Sequence, residues 1–280
     1  MAFLSRYTST GRLPDAVGIQ ASVDEAYLAY RGIGRGNVAT VYPALAAAPS
    51  GLFGISVAAS SGALFSAGDV TRAFTFMSIA KPFVFALIGD RFGAQRARRR
   101  LGVNATGLPF DSVAAVESAD HGATNPMVNA GAIATVSLVP GATAPAKWDF
   151  IAAGLSAFAG RELRLDQPTY ACASAAGLRV TGAEAGRCTL AVMATAGMSE
   201  TPGDWLYDTG VPGKSGISGG IVAVAPGKGA VGTFAPPLDQ ADNSVRGQLA
   251  VRLLSRRLGL TLFASDPVAS EPLPAAGGDE

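Results

Sequence analysis

Two hairpin signals, one toward each end of the chain, constrain its fold more than any other feature. Leu52 to Ala59 and Ala63 to Ala67 flank Ser60-Ser61-Gly62, while Ile217 to Ala225 and Ala230 to Ala235 flank Pro226-Gly227-Lys228-Gly229. Strand-prone runs bounded by such turn residues read as antiparallel hairpins. Helical patterning fills the chain between them. It begins at Ser78 and runs to about Gly89, returns over Asp90 to Leu101, follows Asn125 as a small-residue helix, and recurs over Trp148 to Phe158 and Thr189 to Ala196. One antiparallel sheet drawn from both chain ends, with a helical lobe packed on it, accommodates both patterns, so the expected class is α+β.

The boundaries follow from that layout. A flexible arm is expected over residues 1–17, one domain over 18–263, and a disordered tail over 264–280. The domain takes its sheet from 38–76 and 205–236, its helical lobe from 77–200 and a C-terminal helix from 244–258. A short helix is expected over Val23 to Tyr30, capped by Ser22. Gly210 to Gly216 reads as a turn cluster. On the last helix, Val245, Leu249, Leu253 and Leu254 share the apolar side, and Arg252, Arg256 and Arg257 favour solvent.

Composition closes several function classes. Hydrophobic residues make up 49% and charged residues 15%, so the chain can bury a large core and has little charge for a polyelectrolyte partner. Net charge +1 gives no reason to expect nucleic acid or an anionic membrane. The arginines at 91, 96, 98, 99 and 100 read as a solvated helix face, since nothing aromatic interleaves them. No apolar run approaches the ~18 residues of a spanning helix, and the first residues lack a signal-peptide core, so the expected compartment is the cytoplasm. Cys172 and Cys188 are the only cysteines and read as small core residues. The single histidine, His121, reads as an exposed loop residue, so a histidine-built metal site is closed off and any serine chemistry turns to lysine for its base.

Ser78-Ile79-Ala80-Lys81 supplies that pair, where a Phe- and Thr-rich run gives way to helix. Residues three apart on a helix face the same way. A serine hydroxyl needs a base beside it, and a lysine serves if burial and the helix dipole hold it neutral. A helix start also points free N–H groups at an oxyanion. Downstream come an Asn loop and Lys214-Ser215-Gly216 before a strand, the order of the serine β-lactamase and transpeptidase plan. Lys214 brings positive charge for a substrate carboxylate or for the catalytic hydroxyl. Gly216 lets backbone come close to substrate, and the N–H of Ile217 joins that of Ser78 as an oxyanion hole.

Longer motifs narrow the likeness. Pro212 to Ile221, Asn125 to Ile133, Phe53-Gly54-Ile55, Ser66-Ala67-Gly68-Asp69, Pro236-Pro237-Leu238-Asp239 and Asn243-Ser244-Val245-Arg246-Gly247 resemble the signature segments of the serine-dependent glutaminases. The resemblance spans roughly residues 38 to 165 and 180 to 262. It implies a β-lactamase-like fold, no metal or organic cofactor, and hydrolysis of L-glutamine to L-glutamate and ammonia. It implies that Ser78 attacks the side-chain amide, Lys81 activates it, and a glutamyl ester forms. Asn129 falls on a position that holds the amino-acid end of substrate and Ile217 on the backbone oxyanion position; Lys214 and Ser215 are expected to bind substrate, and Tyr42 to replace in part a family tyrosine. It implies a homo-dimer or homo-tetramer.

The chain departs from that pattern at definite places. A long family segment is absent between the regions of Tyr170 and Leu178, and Ala173 stands about where a substrate-binding Glu belongs. Ser199 replaces a tyrosine after Gly197-Met198, and Val41 replaces one before Pro43, with Tyr42 adjacent. Asp166 and Glu184 are the nearest acids to the missing Glu. Each charged hydrogen bond lost to substrate costs about 1.5–3 kcal/mol. Two alternatives therefore stand beside glutaminase: a non-catalytic relative that partners a full-length enzyme, and a serine hydrolase of the same plan acting on another acyl substrate.

Overall fold

Turn glycines and strand-prone runs meet in one five-stranded antiparallel sheet. The computed structural model describes residues 13–119, 122–170 and 186–263. The strands are β1 (Gly54–Ala59), β2 (Leu64–Gly68), β3 (Gly213–Gly216), β4 (Gly220–Ala225) and β5 (Gly229–Phe234). Their spatial order is β2-β1-β5-β4-β3, so the two chain ends join at the β1–β5 pair, where Val57 faces Val231. This confirms the α+β class and the shared sheet.

The helices are α1 (Ala16–Tyr30), α2 (Pro43–Ala46), α3 (Ala80–Phe92), α4 (Ala94–Leu101), α5 (Val113–Glu117), α6 (Asn129–Ser137), α7 (Ala144–Ala159), α8 (Gly186–Ala196), α9 (Pro202–Thr209) and α10 (Val245–Leu258). They divide between the two faces of the sheet. Ile55, Val57, Ile221, Ala223 and Val231 pack with Ile19 and Val23 of α1 and with Val251, Leu254 and Leu258 of α10. Val222 and Val224, which alternate with them along β4, turn to the second core. There Phe85 and Ile88 of α3 meet Leu101, Met127, Ile151 and Val192 from the surrounding helices. The central position of α3 explains its near-continuous apolar sequence.

Several boundaries differ from expectation for physical reasons. α1 begins at Ala16, inside the expected arm, because Asp15 caps it: Gly18 N donates to Asp15 Oδ1 at 2.8 Å. Ser22, expected as a cap, sits mid-helix and donates to Gly18 O at 2.8 Å. Residues 38–42 form no strand, only the isolated bridge Asn37–Leu238 beside them, and Pro43 opens α2. The Gly213–Gly216 stretch, expected as part of a turn cluster, is an edge strand, so the second hairpin becomes a three-stranded meander. Val245, Leu249 and Leu253 are only half-buried. The buried face of α10 centres on Arg246, Ala250, Val251 and Leu254. The arginines of the 91–100 stretch are exposed, as expected. Residues 1–12, His121, Cys172, Glu184 and the tail 264–280 lie outside the described residues.

Arg246 explains the rotated face. It is 2% exposed, and its guanidinium donates to the carbonyls of Arg31, Ser50, Gly51 and Leu52. It also lies over the Phe53 ring, 5.3 Å from its centroid. One side chain near the C-terminus thus ties down the backbone that leads into β1. A planar fork can do this and an ammonium cannot. Arg246→Lys is expected to lower stability by about 2–4 kcal/mol, since several buried carbonyls lose their donor. Chemical denaturation measures this, and an unchanged midpoint would contradict the assignment.

Candidate active site

Ser78 lies in a single 3₁₀ turn, Met77–Ile79, that leads straight into α3. Met77 has φ 45°, one of three non-glycine residues with positive φ among the described residues. Backbone in that region persists only where neighbours enforce it. The enforcement comes from the sheet. A methyl group on Gly216 would meet Phe76 O at 3.1 Å and Ile79 Cγ1 at 3.2 Å, and one on Gly220 would meet Ile79 Cδ1 at 2.3 Å. Glycine on both strands therefore lets the serine turn press against the β3–β4 edge.

A cavity of about 310 Å³ opens at this junction. Ser78, Lys81, Lys214, Ser215 and Ile217 all line it, so five of the seven site residues expected from sequence converge there. Asn129 joins them through Lys81, whose Nζ donates to Asn129 Oδ1 at 2.7 Å and to Met127 O at 3.2 Å. Tyr42 does not join them. It is 6% exposed at the N-terminus of α2 and is not among the residues lining this cavity.

The loop before α6 divides its labour. Asn125 is fully buried and structural: its Nδ2 donates to Asn104 O, and its Oδ1 accepts from Met127 N. Gly131 is required because a Cβ there would meet Asn125 O at 1.9 Å. These contacts set Met127 and Asn129 as the two acceptors of the Lys81 amine. The Phe110 ring lies 5.9 Å from that amine and closes the cavity on the loop side.

Burial dominates the electrostatics. Lys81 is 6% exposed, and desolvation lowers its pKa from 10.5 to about 8. Lys214 is 3% exposed, with Nζ donating to Ser215 O at 2.8 Å. Its pKa falls well below the usual value, through burial first and through the charge of Lys81 second. Burial thus makes both amines easier to deprotonate, and the charge of Lys81 adds to this at Lys214 alone.

Three neighbours of this cavity were not read as site residues, or only in part. Phe110 lies in the stretch between Leu101 and Asn125, which carries no helix or strand pattern. Ser199 lines the cavity, its Oγ 3.4 Å from Ser215 Oγ. Glu200 lines it too, and is the one carboxylate among the described lining residues. Asp166, expected as a nearby acid, instead accepts from Thr169 N at 2.9 Å and caps a helix start elsewhere.

Comparisons with known proteins point to one family. The family model described as Glutaminase matches residues 36–183 and 171–263. The chain is similar to Glutaminase 2 of Yersinia pestis, with 46% identity over 318 positions, covering 93% of this chain and 94% of that protein. The alignment is longer than the 280 residues of this chain, so the relative carries residues that this chain lacks. The two pieces of the family match meet at 171–183, where the sequence places its missing segment. Among solved structures, a probable glutaminase, ybaS, superposes with a TM-score of 0.81 at 31% identity, covering 89% of this chain and 99% of that one. The glutamate form of Mglu gives a TM-score of 0.79 at 27% identity, covering 89% and 70%. No helix among the described residues is long and apolar enough to cross a membrane. The chain belongs to the glutaminase family, whose members are amidohydrolases.

Proposed function

We propose that this chain hydrolyses L-glutamine to L-glutamate and ammonia through an acyl-enzyme on Ser78, with Lys81 as general base. The observation that carries this reading is the setting of the Lys81 amine. A neutral amine has two hydrogens and one lone pair. Met127 O and Asn129 Oδ1 accept the two hydrogens. The lone pair remains for the Ser78 hydroxyl proton, in a cavity that both residues line.

The steps then balance. Ser78 Oγ attacks the side-chain amide carbon and its proton passes to Lys81. The oxyanion rests against the N–H groups of Ser78 and Ile217. The Lys81 ammonium returns the proton to the leaving nitrogen, the C–N bond breaks, and ammonia departs from a glutamyl ester. Water attacks the ester, Lys81 accepts its proton and hands it to Ser78 Oγ, and glutamate leaves. Asn129 uses its Oδ1 on Lys81, so its NH₂ is free to donate to the substrate α-carboxylate. Lys214 and Ser215 supply an amine and a hydroxyl as hydrogen-bond donors to the substrate. Mglu is a relative solved in a glutamate form, which agrees with an amino-acid product for this site. The reading carries with it a cytoplasmic homo-dimer or homo-tetramer, which light scattering on the purified chain tests.

The shortened stretch after Tyr170 favours a second reading, a non-catalytic relative acting as an oligomer partner. It predicts no turnover by the isolated chain. The first reading predicts ammonia release from millimolar glutamine, reduced at least about a thousandfold in Ser78→Ala. Release that survives this substitution would overturn the serine mechanism.

The pH dependence has a definite sign. A base must be unprotonated, so kcat/KM is expected to rise with pH and level off above a midpoint near 8. Stability moves the same way. The folded state releases the Lys81 proton near 8 and the unfolded state keeps it to 10.5, so stability rises between those values. A kcat/KM profile flat from pH 7 to 9 would contradict Lys81 as the base.

A further inference from the structure

The backbone at Glu200 is in a conformation its side chain disfavours, with φ 55°. Glycine adopts that region freely, and a residue with a Cβ pays in backbone energy. The neighbours hold it there. Asn243 is fully buried, and its Nδ2 donates to Ser199 O at 3.0 Å and to Thr201 Oγ1 at 3.2 Å, while its Oδ1 accepts from Ser199 N at 3.3 Å. Asn243 is itself anchored by Asp239, whose Oδ1 accepts from Asn243 N at 3.0 Å. On the near side, Gly197 has no room for a Cβ, which would meet Gly213 O at 1.9 Å. On the far side, Pro202 opens α9. Residues before and after Glu200 are therefore fixed, and the strained residue between them is exposed at the mouth of the Ser78 cavity.

Without Glu200 the described lining of the cavity holds no acid. Among the described lining residues the ionisable groups are Lys81, Lys214 and Glu200. On the reading proposed above, the ligand is an amino acid with an α-carboxylate and an α-ammonium. The Asn129 amide and the Ser215 hydroxyl suit the carboxylate, and among the described lining residues only Glu200 suits the ammonium. The amide end must reach Ser78, so the amino-acid head lies toward the mouth, where Glu200 stands.

We propose that Glu200 is the carboxylate that binds the substrate α-ammonium, and that Asn243 is the residue that positions it. The strained backbone is then tolerated because it places an acid where the ligand carries its positive charge. This assignment rests on the glutaminase reading and adds the selectivity determinant for α-amino acids.

The test compares kcat/KM for L-glutamine with that for 5-amino-5-oxopentanoate, which has the same amide and carboxylate but no α-ammonium. The wild-type chain is expected to favour glutamine. Glu200→Gln is expected to cut that preference tenfold or more, through KM for glutamine, and Glu200→Asp to retain part of it. Glu200→Gly separates the role from structure: the melting temperature is expected to rise as strain is relieved, while the preference falls as in Glu200→Gln. Asn243→Ala is expected to lower the preference as well. A preference unchanged in both Glu200→Gln and Glu200→Gly would overturn the assignment and leave the glutaminase reading intact. A wild-type chain that releases no ammonia from glutamine would overturn both.

Discussion

The close approach of the Met77–Ile79 turn to the glycine-lined end of β3 is the constraint on which the rest of the site depends. Gly216 and Gly220 leave room for Phe76 and Ile79 where any Cβ would collide with them or crowd them. That contact brings residues from opposite halves of the chain, Ser78 and Lys81 on one side and Lys214, Ser215 and Ile217 on the other, to one cavity. Ile79 is 3% exposed at this contact, and Lys81, in the first turn of α3 behind it, is buried and its amine desolvated. The lowered pKa of Lys81 is thus a consequence of packing and not of a nearby charge.

The supporting shell works through backbone more than through side-chain pairs. Asn125 fixes the carbonyl of Met127 by gripping its N–H, and Asn243 fixes the 199–201 turn by gripping both of its ends. Arg246 does the same at larger scale for residues 31 and 50–52. In each case a buried polar side chain satisfies backbone groups of a segment that has no regular partner of its own. Loops that carry function then acquire the rigidity of the sheet they are tied to.

Much of this was legible in the residues. The two hairpins announced themselves through Ser-Ser-Gly and Pro-Gly-Lys-Gly turns between strand-prone runs, and β1, β2, β4 and β5 lie within about three residues of where those runs placed them. Ser78, Lys81, Lys214, Ser215 and Ile217 converge because their motifs are local and their order along the chain matches one plan. β3 was illegible because Gly-Lys-Ser-Gly has no apolar alternation, and its pairing with β4 alone makes it a strand. Arg246 was illegible because arginine normally marks solvent, and its burial depends on carbonyls far away in sequence. Tyr42 was placed by its neighbour Pro43, but that proline starts a helix, and Tyr42 is buried at its N-cap without lining the cavity. Glu200 carried no sequence signal at all. Its meaning arises only from its backbone angle, its place on the cavity wall and the grip of Asn243.

The whole account reduces to an uncharged lysine amine beside a serine hydroxyl. Direct titration of Lys81 in the intact protein, by NMR of ¹³Cε-labelled lysines with Lys81→Arg used to assign the resonance, measures that state without reference to turnover. A midpoint near 8 is expected. A Lys81 resonance that titrates with the exposed lysines near 10.5 would show that burial leaves the amine no easier to deprotonate than in water, and would remove the base on which the mechanism stands.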